Sequence, residues 1–167
     1  MLRLEAITAH NGNSICQLSV KEAQRDFVAS NRTSLAEAQT ALSGGGHAYP
    51  FGIYDEDLPV GFLLIGFGTD EHWENPPAIA QNNYNIWRLM IDVRYQGKGY
   101  GKQIVTALLK QAFELGATEV AYDCFTQNVA SKRLALSCGF AYSYSEEAEL
   151  MKNGKKVILD YFIHQGK

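Results

Sequence analysis

Residues 94–103 read RYQGKGYGKQ. Three glycines spaced two apart, Gly97, Gly99 and Gly101, are threaded through Gln96, Lys98, Tyr100 and Lys102. The run before it, NIWRLMIDV (85–93), is β-like, and the run after it, IVTALLKQAFELG (104–116), is helix-like. Glycine costs conformational entropy at such a junction, so the sequence demands a compensating use. A helix N-terminus presents unpaired N–H groups and partial positive charge. Glycines let a polyanion approach that backbone, and Gln96, Lys98 and Lys102 add donors and charge. The stretch therefore reads as a phosphate or pyrophosphate site. It does not fit a Walker loop, and its G-x-G-x-G spacing past mid-chain departs from the dinucleotide fingerprint.

The chain around it has 167 residues, 46% hydrophobic and 20% charged. That is one ordinary globular domain, large enough to bury a core. A net charge of −3 argues against nucleic acid as a partner and is compatible with a cationic small substrate. Cys16, Cys124 and Cys138 stand at no metal-ligand or redox spacing, so they read as free thiols in a reducing compartment. The N-terminal run lacks a signal-peptide core, and no window approaches ~18 consecutive apolar residues. The expectation is a cytoplasmic protein with no membrane partner. No Cys/His/Asp grouping supports a metal site.

Apolar–polar alternation in LRLEAIT predicts an opening strand. NSICQLSVKEAQRDFVAS (13–30) is expected to be helical. TSLAEAQTALSGG (33–45) predicts a helix with Thr33 or Ser34 as N-cap, Glu37 closing a capping box, and Gly44–Gly46 as its stop. HAYPFGIYDED and LPVGFLLIGFG read as two strands joined by the acidic turn Asp55–Asp57. The polar loop TDEHWENPPAIAQNN (69–83), with two prolines, argues against regular structure and is long enough for a functional loop or lid. NIWRLMIDV is a strand, and a helix follows from about Gly101 to Leu115. ATEVAYDCF is a strand, NVASKRLALSC a helix, and AYSYSEEAEL with KKVILDYFIH a final antiparallel pair turning at Lys152–Asn153–Gly154. This order predicts a single mixed α/β domain over 1–167.

Gln96-x-x-Gly99-x-Gly101 after a strand and opening a helix resembles the acyl-CoA pyrophosphate motif of the GNAT N-acetyltransferases. Leu89-Met90-Ile91 resembles the segment of that family whose splayed backbone pairs with pantetheine. Asn128, with Gly139-Phe140 eleven residues on, resembles its second motif. The resemblance covers roughly residues 50–163. It implies a mostly antiparallel central sheet flanked by helices, and acetyl-CoA as co-substrate. VKEAQRDFVASNRTSLAEA and IWRLMIDVRYQGKGYGK further resemble the bacterial spermine/spermidine acetyltransferases of the family. That implies transfer of an acetyl group to a primary amine of a small polyamine. Alternatives are a peptide or protein N-acetyltransferase and an acetyl-CoA-binding sensor with little catalysis. Relatives of this fold often dimerise, so a homodimer is a further expectation.

Carried over residue by residue, the backbone of Met90 and Ile91 is expected to pair with pantetheine, with the Met90 N–H facing the thioester oxygen. Gln96, Gly97, Lys98, Gly99, Tyr100, Gly101 and Lys102 are expected around the pyrophosphate. Asn128 and Ser131 are expected along the pantetheine arm, and Lys132 near a CoA phosphate. The pattern breaks at two places. The tyrosine that serves as general acid in the family falls on Ala135, leaving Ser131, Ser137, Cys138, Tyr142 and Tyr144 as neighbouring candidates. The common position of the base holds Asn85, Trp87 and Arg88. Asp92 is expected to pair with Arg88 or to meet the amine. Glu22, Asp26, Asp70, Glu71 and Glu74 are further candidates for a cationic substrate. Trp73 and Trp87 are candidates for cation–π contact, and His72 for a base.

Overall fold

The computed structural model describes residues 1–68, 77–149 and 154–166. One seven-stranded sheet runs through it in the order β1-β2-β3-β4-β5-β7-β6. The strands are β1 (Leu2–Ala6), β2 (His47–Asp55), β3 (Leu58–Phe67), β4 (Tyr84–Ile91), β5 (Glu119–Phe125), β6 (Ala141–Glu149) and β7 (Lys156–Gln165). Every neighbouring pair is antiparallel except β4 with β5. The mixed, mostly antiparallel sheet is thus the expected one. No helix among the described residues is long and apolar enough to cross a membrane.

Helices α1 (Gly12–Cys16), α2 (Asn31–Ser43), α3 (Tyr100–Glu114) and α4 (Val129–Ser137) cover the sheet. In α3 the apolar residues Ile104, Val105, Leu108, Leu109, Ala112 and Phe113 repeat at helical spacing, so one stripe faces the sheet. That stripe packs with α4's Ala135 and the strand residues Val60, Leu63, Ile86, Val120, Tyr122 and Phe162 in one core. On the other face Ile15, Leu18, Ala38 and Ala41 pack against Phe62, Leu64 and Met90. Each large side chain sealed in this way stabilises the fold by ~1.5–3 kcal/mol.

Two N-terminal expectations are corrected. Helix α2 is capped three to four residues earlier than predicted, by Ser30 rather than Thr33 or Ser34, and the Ser30 hydroxyl accepts from the Thr33 N–H at 3.1 Å. Ser34 is instead buried on the inner face, and Glu37 reaches Arg88 rather than a capping box. The stretch 13–30 is not one helix. After α1 the backbone of Ser19 is taken by the end of β4. Its N–H donates to the Asp92 carboxylate at 2.9 Å, and its carbonyl accepts from the Val93 N–H at 2.8 Å. With those groups committed across the fold, the helical ladder stops, and a single 3₁₀ turn at Glu22–Gln24 follows.

The loop at 69–83 contributes a 3₁₀ turn, Ala78–Ala80, and an isolated bridge from Gly68 to Gln81. Asp70, Glu71, His72, Trp73 and Glu74 lie outside the described residues, as do Lys152 and Asn153 of the β6–β7 turn.

Candidate active site

A residue count opens the site. Along β3 and β4 the register pairs Leu64 with Arg88 but Ile65 with Ile86, so Trp87 is an extra residue on β4. Such a bulge bends its strand and adds local twist. It also puts Trp87 and Arg88, neighbours in sequence, on the α2 side of the sheet. Trp87 packs against the cluster of Ile15, Phe62 and Met90, and Arg88 pairs with Glu37 of α2 at 3.1 Å. Beyond the bulge β4 leaves β5. The parallel ladder holds only Tyr84–Ile86 against Val120–Tyr122, and the strands part after Ile86 and Tyr122.

The parting leaves half of the backbone of β4 without a sheet partner. The Asp92 N–H donates to the Val60 carbonyl at 2.9 Å. Opposed residues alternate between bonded and non-bonded pairs in an antiparallel ladder. The register therefore turns the Met90 N–H toward Phe62 in β3 and the N–H groups of Leu89 and Ile91 toward the gap. This corrects the expectation placed on Met90: the gap-facing donors are its two neighbours, Leu89 and Ile91. The carbonyl of Ile91 is occupied by the Gln96 side chain at 2.9 Å.

The gap widens into a cleft of about 370 Å³. Leu89, Met90 and Ile91 form one wall, Tyr122, Asn128, Ser131 and Leu134 another, and the turn 96–102 the floor. Val20, Gln24, Phe27 and Val28, which the sequence placed on a helix, close the remaining side. Gln96 fastens that side by donating to the Gln24 side chain at 2.9 Å.

The floor answers the question its glycines raise. Gly97 and Gly99 have φ of 82° and 78°, a region that costs other residues ~1–2 kcal/mol. Gly99 is the N-cap of α3, and no side chain caps that end. The first-turn N–H groups of Tyr100, Gly101 and Lys102 are thus free to point at a ligand. No atom lies within 4 Å of where a Gly97 Cβ would stand. These features fit a pyrophosphate, and the donor edge of β4 fits the amide-bearing arm of an acyl-CoA. Lys98 lies with its ammonium 5.3 Å from the Tyr95 ring. Tyr100 turns its hydroxyl away to Asp55 at 2.6 Å, so its backbone rather than its phenol faces the floor.

Helix α4 begins at Asn128, whose side chain accepts from the Ser131 N–H at 3.2 Å. Lys132 does not point to the cleft. Its ammonium lies 2.6 Å from the Asp160 carboxylate, where burial is outweighed by hydrogen bonds from Lys132, Thr126 and Ser145 that hold the Asp160 pKa below the usual value. Ala135, where the family pattern has tyrosine, is fully buried in the core. A phenol nevertheless reaches the cleft from β5. Tyr122, which the sequence offered only as a strand residue, places its hydroxyl 2.6 Å from the Ser131 hydroxyl. Burial raises its pKa well above the ordinary tyrosine value, so it stays neutral.

The substrate candidates are dispersed. Glu22 is exposed and paired with Arg25 at 3.1 Å. Asp92 is buried, and it pairs with Arg94 at 2.7 Å instead of Arg88. Strand β4 ends at Ile91, and the turn that follows brings Arg94 back to the carboxylate. Cys124 is buried and Cys16 and Cys138 are partly so, all as free thiols.

The chain is similar to known acetyltransferases in sequence and in fold. The model of the acetyltransferase (GNAT) family matches residues 14–140. The spermine/spermidine N(1)-acetyltransferase of Bacillus subtilis (strain 168) is 32% identical over 162 residues, covering 95% of this chain and 97% of that protein. Among solved structures, the spermidine N-acetyltransferase of Vibrio cholerae in complex with CoA and spermine superposes with a TM-score of 0.72 at 15% identity, over 98% of this chain and 95% of that one. An acetyltransferase from Salmonella typhimurium that modifies the N-terminal serine of ribosomal protein L7/L12 gives 0.74 at 20% identity, over 99% and 95%.

Proposed function

The chain belongs to the acetyltransferase (GNAT) family and is an acetyl-CoA-dependent N-acetyltransferase, and from that premise we propose that its acceptor is a primary amine of a small polyamine such as spermidine. The whole chain, 1–167, works as one acyltransferase domain in this reading. The observation that carries the site assignment is the parting of β4 and β5 beyond Ile86 and Tyr122 directly above the glycine turn. The choice of amine is supported by the spermine/spermidine acetyltransferase that is 32% identical along nearly its full length.

Acetyl-CoA supplies the activated acetyl group as a thioester. The backbone of Gly97–Lys102 holds the pyrophosphate, and the N–H groups of Leu89 and Ile91 hold the arm. The Leu89 N–H donates to the thioester oxygen, where negative charge gathers as the amine attacks. Fixing the two reactants against one wall supplies proximity. Tyr122 and Ser131 present a hydroxyl pair beside the sulfur. They take over from the helix position that Ala135 cannot fill, and ease proton delivery to the departing thiolate.

The test is release of free CoA thiol with acetyl-CoA and spermine, spermidine, putrescine or a lysine-containing peptide. Turnover with the polyamines and not the peptide is the expected result. The opposite preference would replace the polyamine by a peptide acceptor and leave the CoA site standing.

A further inference from the structure

The reaction needs a group to take the proton of the incoming ammonium, and the usual position for it holds Asn85, Trp87 and Arg88. Most carboxylates around the cleft are already engaged. Asp92 is held by Arg94, Asp160 by Lys132, Glu37 by Arg88, and Asp55 by Tyr100. Asp123 differs. Among the described residues it makes no hydrogen bond and no ion pair, and its side chain is exposed.

Its position is set by the sheet. Tyr122 is the last residue of β5 paired with β4, so Asp123 is the first one past the point where the strands part. Side chains alternate along a strand. Tyr122 therefore faces α3 and α4 with the CoA cleft, while Asp123 faces the other side, where the bulge places Trp87 and Arg88. Across the ladder Asp123 is opposite Tyr161 of β7, whose ring stacks on Tyr144 of β6 at 4.7 Å. Tyr144, Tyr161 and Arg88 all lie within electrostatic reach of the carboxylate, and Glu146 acts on the same two tyrosines. A carboxylate flanked by two stacked tyrosine rings thus stands where the strands part, on the face of the sheet opposite the CoA cleft.

We infer that Asp123 is the acceptor-side carboxylate that binds the substrate ammonium and removes its proton. The inference rests on the amine-acetylating reading given above. In the step, the ammonium gives one proton to Asp123. The freed lone pair forms the C–N bond to the acetyl carbon as the C–S bond breaks, with that electron pair leaving on sulfur. The second proton on nitrogen passes to the thiolate at the Tyr122–Ser131 pair, and Asp123 returns its own proton to solvent. Protein packed densely around the carboxylate desolvates its charged form, although the side chain itself keeps solvent access, and this raises the Asp123 pKa to about 6 against the pull of Arg88. That value keeps the carboxylate ionised at neutral pH and makes it a stronger base than an ordinary aspartate. Beside it Tyr144, half-buried and stacked on the buried Tyr161, offers an aromatic surface to a cationic methylene chain.

The experiment compares D123N and D123E with wild type, reading kcat/KM against pH and acetyl-CoA affinity by calorimetry. The acceptor is whichever amine wild type turns over best among spermidine, putrescine and a lysine-containing peptide. Which amine wins tests the polyamine reading; the variant-to-wild-type ratio on that amine tests Asp123. Wild type is expected to show an acidic limb near pH 6, and D123N is expected to lose that limb, to lose ~10²-fold or more in kcat/KM, and to bind acetyl-CoA normally. D123E is expected to keep the limb and recover part of the rate. An unchanged rate and profile in D123N would overturn the inference. So would D123E failing like D123N while acetyl-CoA binding falls in both, because that marks a structural role.

Discussion

The hydroxyls of Tyr122 and Ser131 stand 2.6 Å apart across the seam between β5 and α4, beside a helix position, Ala135, that is fully buried. The phenol reaches the cleft from the strand, and in the proposed mechanism it takes the part that Ala135 cannot. Because burial raises the Tyr122 pKa above its ordinary value, the group stays protonated through neutral and mildly alkaline pH. Removing only its oxygen, as Y122F, is expected to lower kcat by ~10–100-fold, within the range of acid–base assistance. S131A is expected to lower it less, and acetyl-CoA affinity should hold in both. Rapid-quench measurement of the chemical step checks this, with no alkaline limb from Tyr122 expected below about pH 10.

The turn under the cleft offers a test of backbone rather than side chain. Gly99 has φ of 78° and caps α3. G99A is expected to cost ~1–2 kcal/mol and to weaken acetyl-CoA binding, since the first-turn N–H groups no longer converge. Calorimetric titration with CoA and a thermal melt measure the two effects separately. K98A should weaken CoA only slightly, because its ammonium sits over Tyr95.

Asp160 predicts an acid sensitivity with a definite sign. Although its burial raises the pKa, the hydrogen bonds from Lys132, Thr126 and Ser145 prevail and depress it. A depressed carboxylate contributes stability above its unfolded pKa and loses it as pH falls through the folded value, that is, below about pH 4. Wild-type Tm is therefore expected to drop on acidification through that window, and D160N to show a shallower drop from a lower start. K132M should destabilise by ~1–3 kcal/mol near neutral pH, because it leaves a buried carboxylate without its cation.

The start of α2 distinguishes two serines. S30A removes the N-cap that accepts from the Thr33 N–H and is expected to cost ~0.5–2 kcal/mol. The Ser34 hydroxyl is buried without a protein partner, so S34A should be neutral or stabilising. Urea denaturation of the two variants reads the difference directly.

What the sequence revealed follows from which features are local. The glycine turn, the apolar runs of β2 and β3 and the helix-like run of α3 are written in consecutive residues, and each element appears where expected. The bulge is not local. It exists only because β4 carries one residue more than β3 between two paired positions, and that mismatch is invisible in β4 alone. The same hidden offset decides that Leu89 and not Met90 turns its N–H to the cleft. Tyr122 and Asp123 were missed because AYDCF reads as ordinary alternation. Their importance comes from where β4 abandons β5. The break in the stretch 13–30 was equally hidden, since it depends on Asp92, 73 residues from Ser19.

The extra residue at Trp87 has a genetic corollary. Substitutions along β4 alter the site by degrees, but deletion of the single codon for Trp87 would leave Ile86 against Ile65 and Arg88 against Leu64 with nothing between them. No other side chain of β4 would have to change face. The straightened strand could then go on pairing with β5, healing the sheet where the substrate must enter. The expected product is a folded protein with no cleft, less stable because the side chain packed against Ile15, Phe62 and Met90 is gone. The site stays open because β4 carries one residue more than β3 between two paired positions, so the loss of one codon, and not only the replacement of a reacting group, is expected to remove activity.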